Sequence, residues 1–143
     1  MLLFRYESKS YRKFPYYFNF TSLSIISKLF SANLLYILID KNLDPIYGAV
    51  QGGHAVADWV RYEYYKTSKD DEHNILWDWN NDYLIYLSVD INKWWRLLNE
   101  YGAKSFERFH EPDLGDKMTS IAVWEGGLPE VLKHKIEKEK LLK

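Results

Sequence analysis

An uninterrupted apolar run at residues 34–40, Leu-Leu-Tyr-Ile-Leu-Ile-Asp, constrains the fold of this chain more than any other feature. Runs of this length without alternation are typical of a strand that is covered on both faces, as in the centre of an α/β sheet. Asp44 and Pro45 follow a few residues later. Asp is a favoured N-cap and Pro a favoured first helical residue, so the sequence predicts a buried strand, a short turn and then a helix.

This helix is unusually rich in small residues. Gly48, Gly52 and Gly53 each cost a helix roughly 1 kcal/mol relative to Ala, which indicates close packing of the backbone or access for a ligand. Spacings of three and four residues predict the side of the helix that faces the core. The predicted inner face comprises Ile46, Ala49, Val50, Gly53, Val56 or Ala57, and Val60.

The rest of the chain alternates between strand and helix patterns. We predict strands at residues 83–89, 105–109 and 119–124, helices at 91–101 and 128–143, and a solvated loop at 66–75. Asp90 is a suitable N-cap and Gly102 a suitable C-terminal stop for the helix between them. The order predicts an α/β fold with helices packed on the faces of the sheet, the first two strands being parallel if they are neighbours.

Length and composition indicate one globular domain. The 143 residues are enough for a real core, and the 17% of aromatic residues serve either to fill it or to form a stacking or partner surface. The absence of Cys excludes disulfides, thiolate zinc sites and a Cys nucleophile, and it agrees with a cytoplasmic location. No segment has the roughly 18 consecutive apolar residues of a membrane span, so no membrane association is expected.

Charge is distributed unevenly along the chain. Residues 1–32 carry five basic residues and one acid, whereas residues 33–143 carry 14 basic and 19 acidic residues. We therefore treat 1–32 as a basic, aromatic appendage of unknown role and 33–143 as the domain. The appendage could be a nucleic-acid or membrane arm, an organelle transit peptide, or sequence upstream of the true domain.

Two clusters of polar residues are candidates for chemistry. Gln51, His54 and Asp58 are spaced to share one side of the first helix, where a His and a carboxylate can form an orienting pair for a general base. The segment 110–117, His-Glu-Pro-Asp-Leu-Gly-Asp-Lys, brings three carboxylates together. Such a loop can raise a carboxyl pKa, hold a divalent metal, or be only a solvated acidic turn.

These two segments resemble the type 2 peptidyl-tRNA hydrolase family. Members carry Ala-Ala-Gln-x-x-His-Ala on the first helix, where this chain has Ala-Val-Gln-Gly-Gly-His-Ala at residues 49–55. They also carry Asp-x-Gly before a Thr-led strand, where this chain has Asp113, Gly115 and Thr119. The resemblance covers residues 34 to about 124 and implies a three-layer α/β/α fold around a small mixed four-stranded sheet.

The resemblance also implies a function in translation and ribosome rescue, the cleavage of the ester between a peptide and tRNA without a cofactor or a metal. By this resemblance His54 and Gln51 line the site and Asp113 is the acidic loop residue. Because an ester hydrolase needs a base that activates water, His54 and Asp113 are the catalytic candidates, and either could be that base. Lys117 or a backbone N–H near Gly115 would stabilise the oxyanion. The candidate substrate-binding residues are Gln51, Glu111, Gly115, Lys117 and Thr119.

The chain departs from the family pattern in two places. Where members have Lys-Gly-Lys before the Gln motif, this chain has Pro45, Ile46 and Tyr47, so a cation is missing, and its acidic loop is shorter. Two functions therefore remain open: an esterase acting on tRNA that carries a peptide or an N-blocked amino acid, and a non-catalytic relative that binds RNA or a protein partner. A homodimer is a further expectation.

Overall fold

The computed structural model of the protein describes residues 34–67, 75–79 and 83–143. The predicted appendage at 1–32 and most of the predicted loop at 66–75 lie outside these ranges. Among the described residues, no helix combines the length and the apolar character needed to cross a membrane.

In the described part of the chain five strands form one mixed sheet: β1 (Leu34–Asp40), β2 (Tyr83–Val89), β3 (Phe106–Glu111), β4 (Lys117–Trp124) and β5 (Lys140–Leu141). Their order across the sheet is β3-β4-β1-β2-β5. Central β1 runs parallel to β2, as predicted, and antiparallel to β4. All seven residues of β1 are buried, which explains its uninterrupted apolar sequence.

The prediction of a four-stranded sheet was wrong, because β5 adds a fifth strand at the edge beside β2. The predicted helix at 128–143 instead ends at Ile136, and Leu141 pairs antiparallel with Leu87. The Nε1 group of Trp94 donates a 2.8 Å hydrogen bond to Glu139, which fixes the chain between the helix and β5. A two-residue strand is too short to show alternation, so its sequence carries no strand pattern.

Within the described ranges four helices accompany the sheet: α1 (Pro45–Thr67), α2 (Ile75–Trp79), α3 (Ile91–Glu100) and α4 (Glu130–Ile136). The caps are those that the sequence predicts. Asp44 accepts hydrogen bonds from the backbone N–H groups of Ile46 and Tyr47, and Asp90 accepts one from Lys93. Gly102 follows α3 with a positive φ of 65°, the conformation that Gly adopts at helix ends.

The sheet is the middle layer of a three-layer α/β/α sandwich, which confirms the predicted fold class. Leu35, Ile37 and Ile39 of β1 pack with Ala55 and Trp59 of α1 on one face. The alternate β1 residues pack with α3 and α4 on the other face, in a core that includes Leu34, Tyr36, Leu38, Trp94, Leu98, Leu132 and Ile136. Helix α1 and the lysine-containing helix α4 therefore lie on opposite sides of the sheet.

The predicted inner face of α1 was wrong at Ile46, Val50 and Gly53, which are exposed, whereas Val56 and Val60 do pack against the core. Residues buried against the sheet include Gly48, Gln51, Gly52, Ala55 and Trp59, whereas Ile46 and Val50 are 80% and 55% exposed. A Cβ built on Gly48 would stand 2.6 Å from Ile39, too close for any larger residue to fit without movement. Because the helix lies this near to the sheet, Gly48 and Gly52 face inward, whereas Ile46, Val50 and Gly53 face outward.

Candidate functional site at the junction of α1 and β4

Gln51 is the polar residue that joins α1 to the sheet. Its side chain is almost fully buried, and its Oε1 lies 3.2 Å from the hydroxyl of Thr119, which is completely buried on β4. The backbone carbonyl of Gln51 accepts a 2.7 Å hydrogen bond from the hydroxyl of Ser120. Two consecutive β4 residues thus hold one residue of α1, and two of the predicted site residues are brought into direct contact.

A β-bulge explains how consecutive strand residues reach the same helix. Phe109 pairs with Ser120 and His110 with Met118, so Thr119 is the extra residue between two pairs of β3 and β4. Successive side chains of a regular strand point to opposite faces, whereas a bulge redirects one of them. Here the redirected side chain is that of Thr119, whose hydroxyl also lies 3.4 Å from the carbonyl of Phe109.

His54 lies one helical turn beyond Gln51 and is exposed to solvent. Its ring stacks on Phe109 of β3, with ring centroids 4.7 Å apart and an interplanar angle of 21°. The predicted pairing with Asp58 does not form. Asp58 instead accepts a 2.9 Å bond from Arg61 on the next turn, so an aromatic contact rather than a carboxylate positions the His54 ring.

The acidic loop is a short 3-10 turn, Pro112–Leu114, that links β3 to β4. Glu111 Oε1 accepts from the backbone N–H of Asp113 at 3.4 Å, and Gly115 and Asp116 both have positive φ. His110 Nδ1 lies 2.7 Å from the backbone carbonyl of Asp116, so it can donate across the loop. These contacts give the loop one compact conformation with its carboxylates on the surface.

Tyr47 connects this loop to the first turn of α1. Partial burial, a hydrogen bond to Glu111 and the negative charges of Glu111 and Asp113 together raise the pKa of its hydroxyl above the ordinary value. The two carboxylates therefore stand beside the N-terminal end of α1, which has no acidic residue in its own first turn. Negative charge at that end also stabilises the helix, so the loop has a structural role in addition to any chemical one.

Lys117 forms an ion pair with a residue that was not among the predicted site residues. Its Nζ lies 2.7 Å from Oδ2 of Asp40, which is only 3% exposed at the end of β1. Burial alone would raise the carboxyl pKa of Asp40. The bonds from Lys117 and Asn42 outweigh burial and lower that pKa below its usual value.

The predicted site residues therefore fall into three groups. Gln51 and Thr119 touch, His54 stands beside them on Phe109, and Glu111 and Asp113 approach α1 at Tyr47. Lys117 pairs with Asp40 and the N–H of Gly115 bonds to the carbonyl of Pro112, so both proposed oxyanion donors are engaged elsewhere. Within the described ranges no hydrogen bond or ion pair joins His54 to Asp113.

The site also contains residues that sequence reasoning missed. In the sequence, Phe109 and Ser120 are ordinary strand positions and Asp40 is the polar end of a strand, while Tyr47 was identified only as part of the segment in which the family's cation is missing. The contacts of these four residues appear only in the tertiary structure. No group of three His, Cys, Asp or Glu side chains in the described part of the chain is arranged to hold a metal ion.

Fold and site together define a three-layer α/β/α protein in which the bulged strand β4 and the Gln51-bearing helix α1 meet on one face of the sheet. Comparisons of the chain with protein-family models, with curated proteins and with solved structures found no match.

Proposed function

We propose that the protein is a peptidyl-tRNA hydrolase-like esterase, which cleaves the ester between tRNA and a peptide or an N-blocked amino acid. The contact between Gln51 and Thr119 carries this proposal, because it joins the two segments whose resemblance to that family motivates it. The bulge that redirects Thr119 adds support, since bulges are over-represented next to active sites.

Hydrolysis requires that a water attack the ester carbonyl carbon, that a base take the water proton, and that the ribose oxygen leave with a proton. Asp113 and His54 are the two candidates for the base. Both are exposed and lie at the same edge of the sheet, Asp113 beside Tyr47 and His54 on Phe109. The proton held by the base can then pass to the leaving oxygen.

The developing oxyanion needs hydrogen-bond donors. Gln51 is suited to this role because its Oε1 faces Thr119, while its Nε2 has no acceptor among the described residues. The amide N–H can therefore donate to a carbonyl oxygen brought to the helix. This assigns Gln51 the stabilising function that the sequence suggested for Lys117 or the backbone near Gly115.

The far end of α1 offers surface for an RNA substrate. Tyr62 and Tyr64 are about half and two-thirds exposed, and Lys66 lies 5.9 Å from the Tyr62 ring centroid. Aromatic rings beside a cation are suited to stacking bases and attracting phosphate. His54 lies between this end of the helix and Gln51, which would place the ester next to the RNA.

Single-turnover hydrolysis of an N-acetylated aminoacyl-tRNA tests the proposal. We expect wild-type protein to release the blocked amino acid, and Asp113→Ala or His54→Ala to slow release by ~10²-fold, the usual contribution of a positioned general base. His134→Ala is the matched control, because His134 is an exposed histidine on α4, across the sheet. No release by the wild type, or equal rates in all variants, would overturn the proposal.

The second candidate, a non-catalytic relative that binds RNA or a protein partner, is favoured by one observation. The cation missing from α1 is not replaced by Lys117, which is held by Asp40. Under this alternative the protein gives no hydrolysis, while binding persists in Asp113→Ala.

A further inference from the structure

The outward face of the first half of α1 is apolar and uncovered in the described structure. No Asp, Glu, Lys or Arg occurs between Pro45 and Ala57, although this helix lies on the surface. Ile46 and Val50 project from it one turn apart, and Gly53 and Ala57 continue the same side. Surface helices usually carry charge on their outer side, so this apolar face is characteristic of an interaction site.

Gly53 lies on this outer face and, unlike Gly52 on the inner face, it is not in contact with the sheet. A Cβ at Gly52 would collide with Ile37, Ile39 and Tyr86, whereas a Cβ at Gly53 would meet no atom within 4 Å. Packing inside the domain thus explains Gly52 but not Gly53. A glycine on an exposed helix costs stability, and it leaves room for another chain to approach the backbone.

The border of this face is acidic. Glu111 and Asp113 lie beside Tyr47, which is adjacent to Ile46 in α1, and Asp116 follows in the same loop. The nearby cation Lys117 is neutralised by buried Asp40 and does not offset them. A partner that covers Ile46 and Val50 would therefore meet the carboxylates of Glu111 and Asp113, which attract Lys and Arg.

We propose that the α1 outer face, formed by Ile46, Val50 and Gly53 with its acidic border of Glu111 and Asp113, binds a segment of a partner protein in which apolar side chains are flanked by Lys or Arg. The apolar residues supply contact area, Gly53 allows close approach, and the carboxylates select positive charge. This proposal goes beyond the esterase and does not require that the site hydrolyse an ester.

Selection from a random peptide library on the full chain tests the proposal, with peptides of about 12 residues, enough for three helical turns. We expect the selected peptides to combine apolar residues with Lys or Arg and to bind more weakly as salt rises. By fluorescence anisotropy, the double variant Ile46→Ser/Val50→Ser should bind them roughly tenfold more weakly or worse, as expected when interface anchors are truncated.

Two further variants separate a surface effect from a folding effect. Val131→Ser removes a comparably exposed apolar residue from α4 on the opposite side of the sheet, and it should leave peptide affinity unchanged. Gly53→Ala should weaken binding while making the helix more stable, a combination that damage to the fold does not produce.

Several outcomes would overturn the proposal: selection of acidic or uncharged peptides, recovery of no peptide, or equal affinity in the wild type and the Ile46/Val50 double variant. A labelled oligouridylate of similar length tests the competing possibility that this face binds RNA. If it binds the wild type and loses affinity in that double variant, the face is an RNA surface. Tight binding of the selected peptides by a protein without esterase activity would leave this proposal standing and the esterase proposal refuted.

Discussion

Gly52 of α1 faces the ring of Tyr86 on β2 so closely that an added Cβ would stand 2.6 Å from the ring carbon Cε1. The neighbouring residue, Gly53, faces open space. Two adjacent glycines in one helix therefore have opposite relations to the rest of the protein, and the same substitution should affect them in opposite directions.

We expect Gly52→Ala to lower the free energy of unfolding by about 1–3 kcal/mol, since the added methyl overpacks a rigid interface. Gly53→Ala should raise it by up to about 1 kcal/mol through helix propensity alone. Urea denaturation of the two variants in parallel measures both changes. Equal shifts of the same sign would contradict the observed position of α1 on the sheet.

Thr119→Val should destabilise the protein by about 1–3 kcal/mol, because it removes the hydroxyl that bonds the buried Oε1 of Gln51 and leaves that acceptor without a partner. Thr119→Ser keeps the hydroxyl and is the matched control, with a smaller loss from the missing methyl. Denaturant midpoints of the two variants provide the measurement. A Ser variant as unstable as the Val variant would show that packing, not the hydrogen bond, matters here.

Glu107 is expected to weaken the fold at neutral pH. Partial burial and the charges of Asp58 and Glu63 raise its carboxyl pKa, so the ionised form is less favourable in the folded than in the unfolded state. Glu107→Gln should therefore increase stability near pH 7. This gain should shrink as the pH falls through the raised folded-state pKa of Glu107, and it should be absent below the unfolded-state value of about 4.3, where both states are protonated. A gain independent of pH would exclude the electrostatic cause.

The ion pair of Lys117 and Asp40 should stabilise the fold at neutral pH, whereas the Glu107 carboxylate destabilises it. Because the pKa of Asp40 is lowered in the folded state, its contribution is complete above the ordinary carboxyl pKa of about 3.9 and is lost as the pH falls through the folded-state value. Lys117→Met should cost about 1 kcal/mol at pH 7, a value that allows for the 45% exposure of Lys117, and the difference should narrow in acid. Thermal unfolding from about pH 7 to about pH 3 tests this.

Much of the fold was predictable because the strongest signals were local. The apolar run of β1, the caps Asp44 and Asp90 and the stop at Gly102 predicted elements that the structure confirms. The inner face of α1 was not predictable from periodicity. The hydrophobic pattern favours Ile46 and Val50 as core residues, but where the helix approaches the sheet most closely, at residues 48 and 52, only glycine fits without movement. At these positions the short distance between helix and sheet, and not hydrophobicity, determines which residues face the core.

The residues of the candidate site were easier to predict from the sequence than the contacts between them. Gln51 and Thr119 meet only because β3 and β4 contain a bulge, and no sequence pattern indicates that Thr119 is the extra residue. Lys117 was assigned to the oxyanion because it follows the acidic loop, but buried Asp40 binds it. Asp40 and Lys117 are 77 positions apart in the sequence (117 − 40), and local sequence patterns do not indicate an ion pair over that distance.

The position of β1 has a consequence for how this protein is made. It is the first described strand of the chain, yet both strands that flank it, β2 and β4, are synthesised later, and β4 ends only at Trp124. Until then a growing chain carries an apolar strand with at least one open edge, the kind of edge that pairs with other chains. Chains interrupted before Lys117 would lack β4 entirely, and we expect them to aggregate instead of accumulating as a smaller folded form.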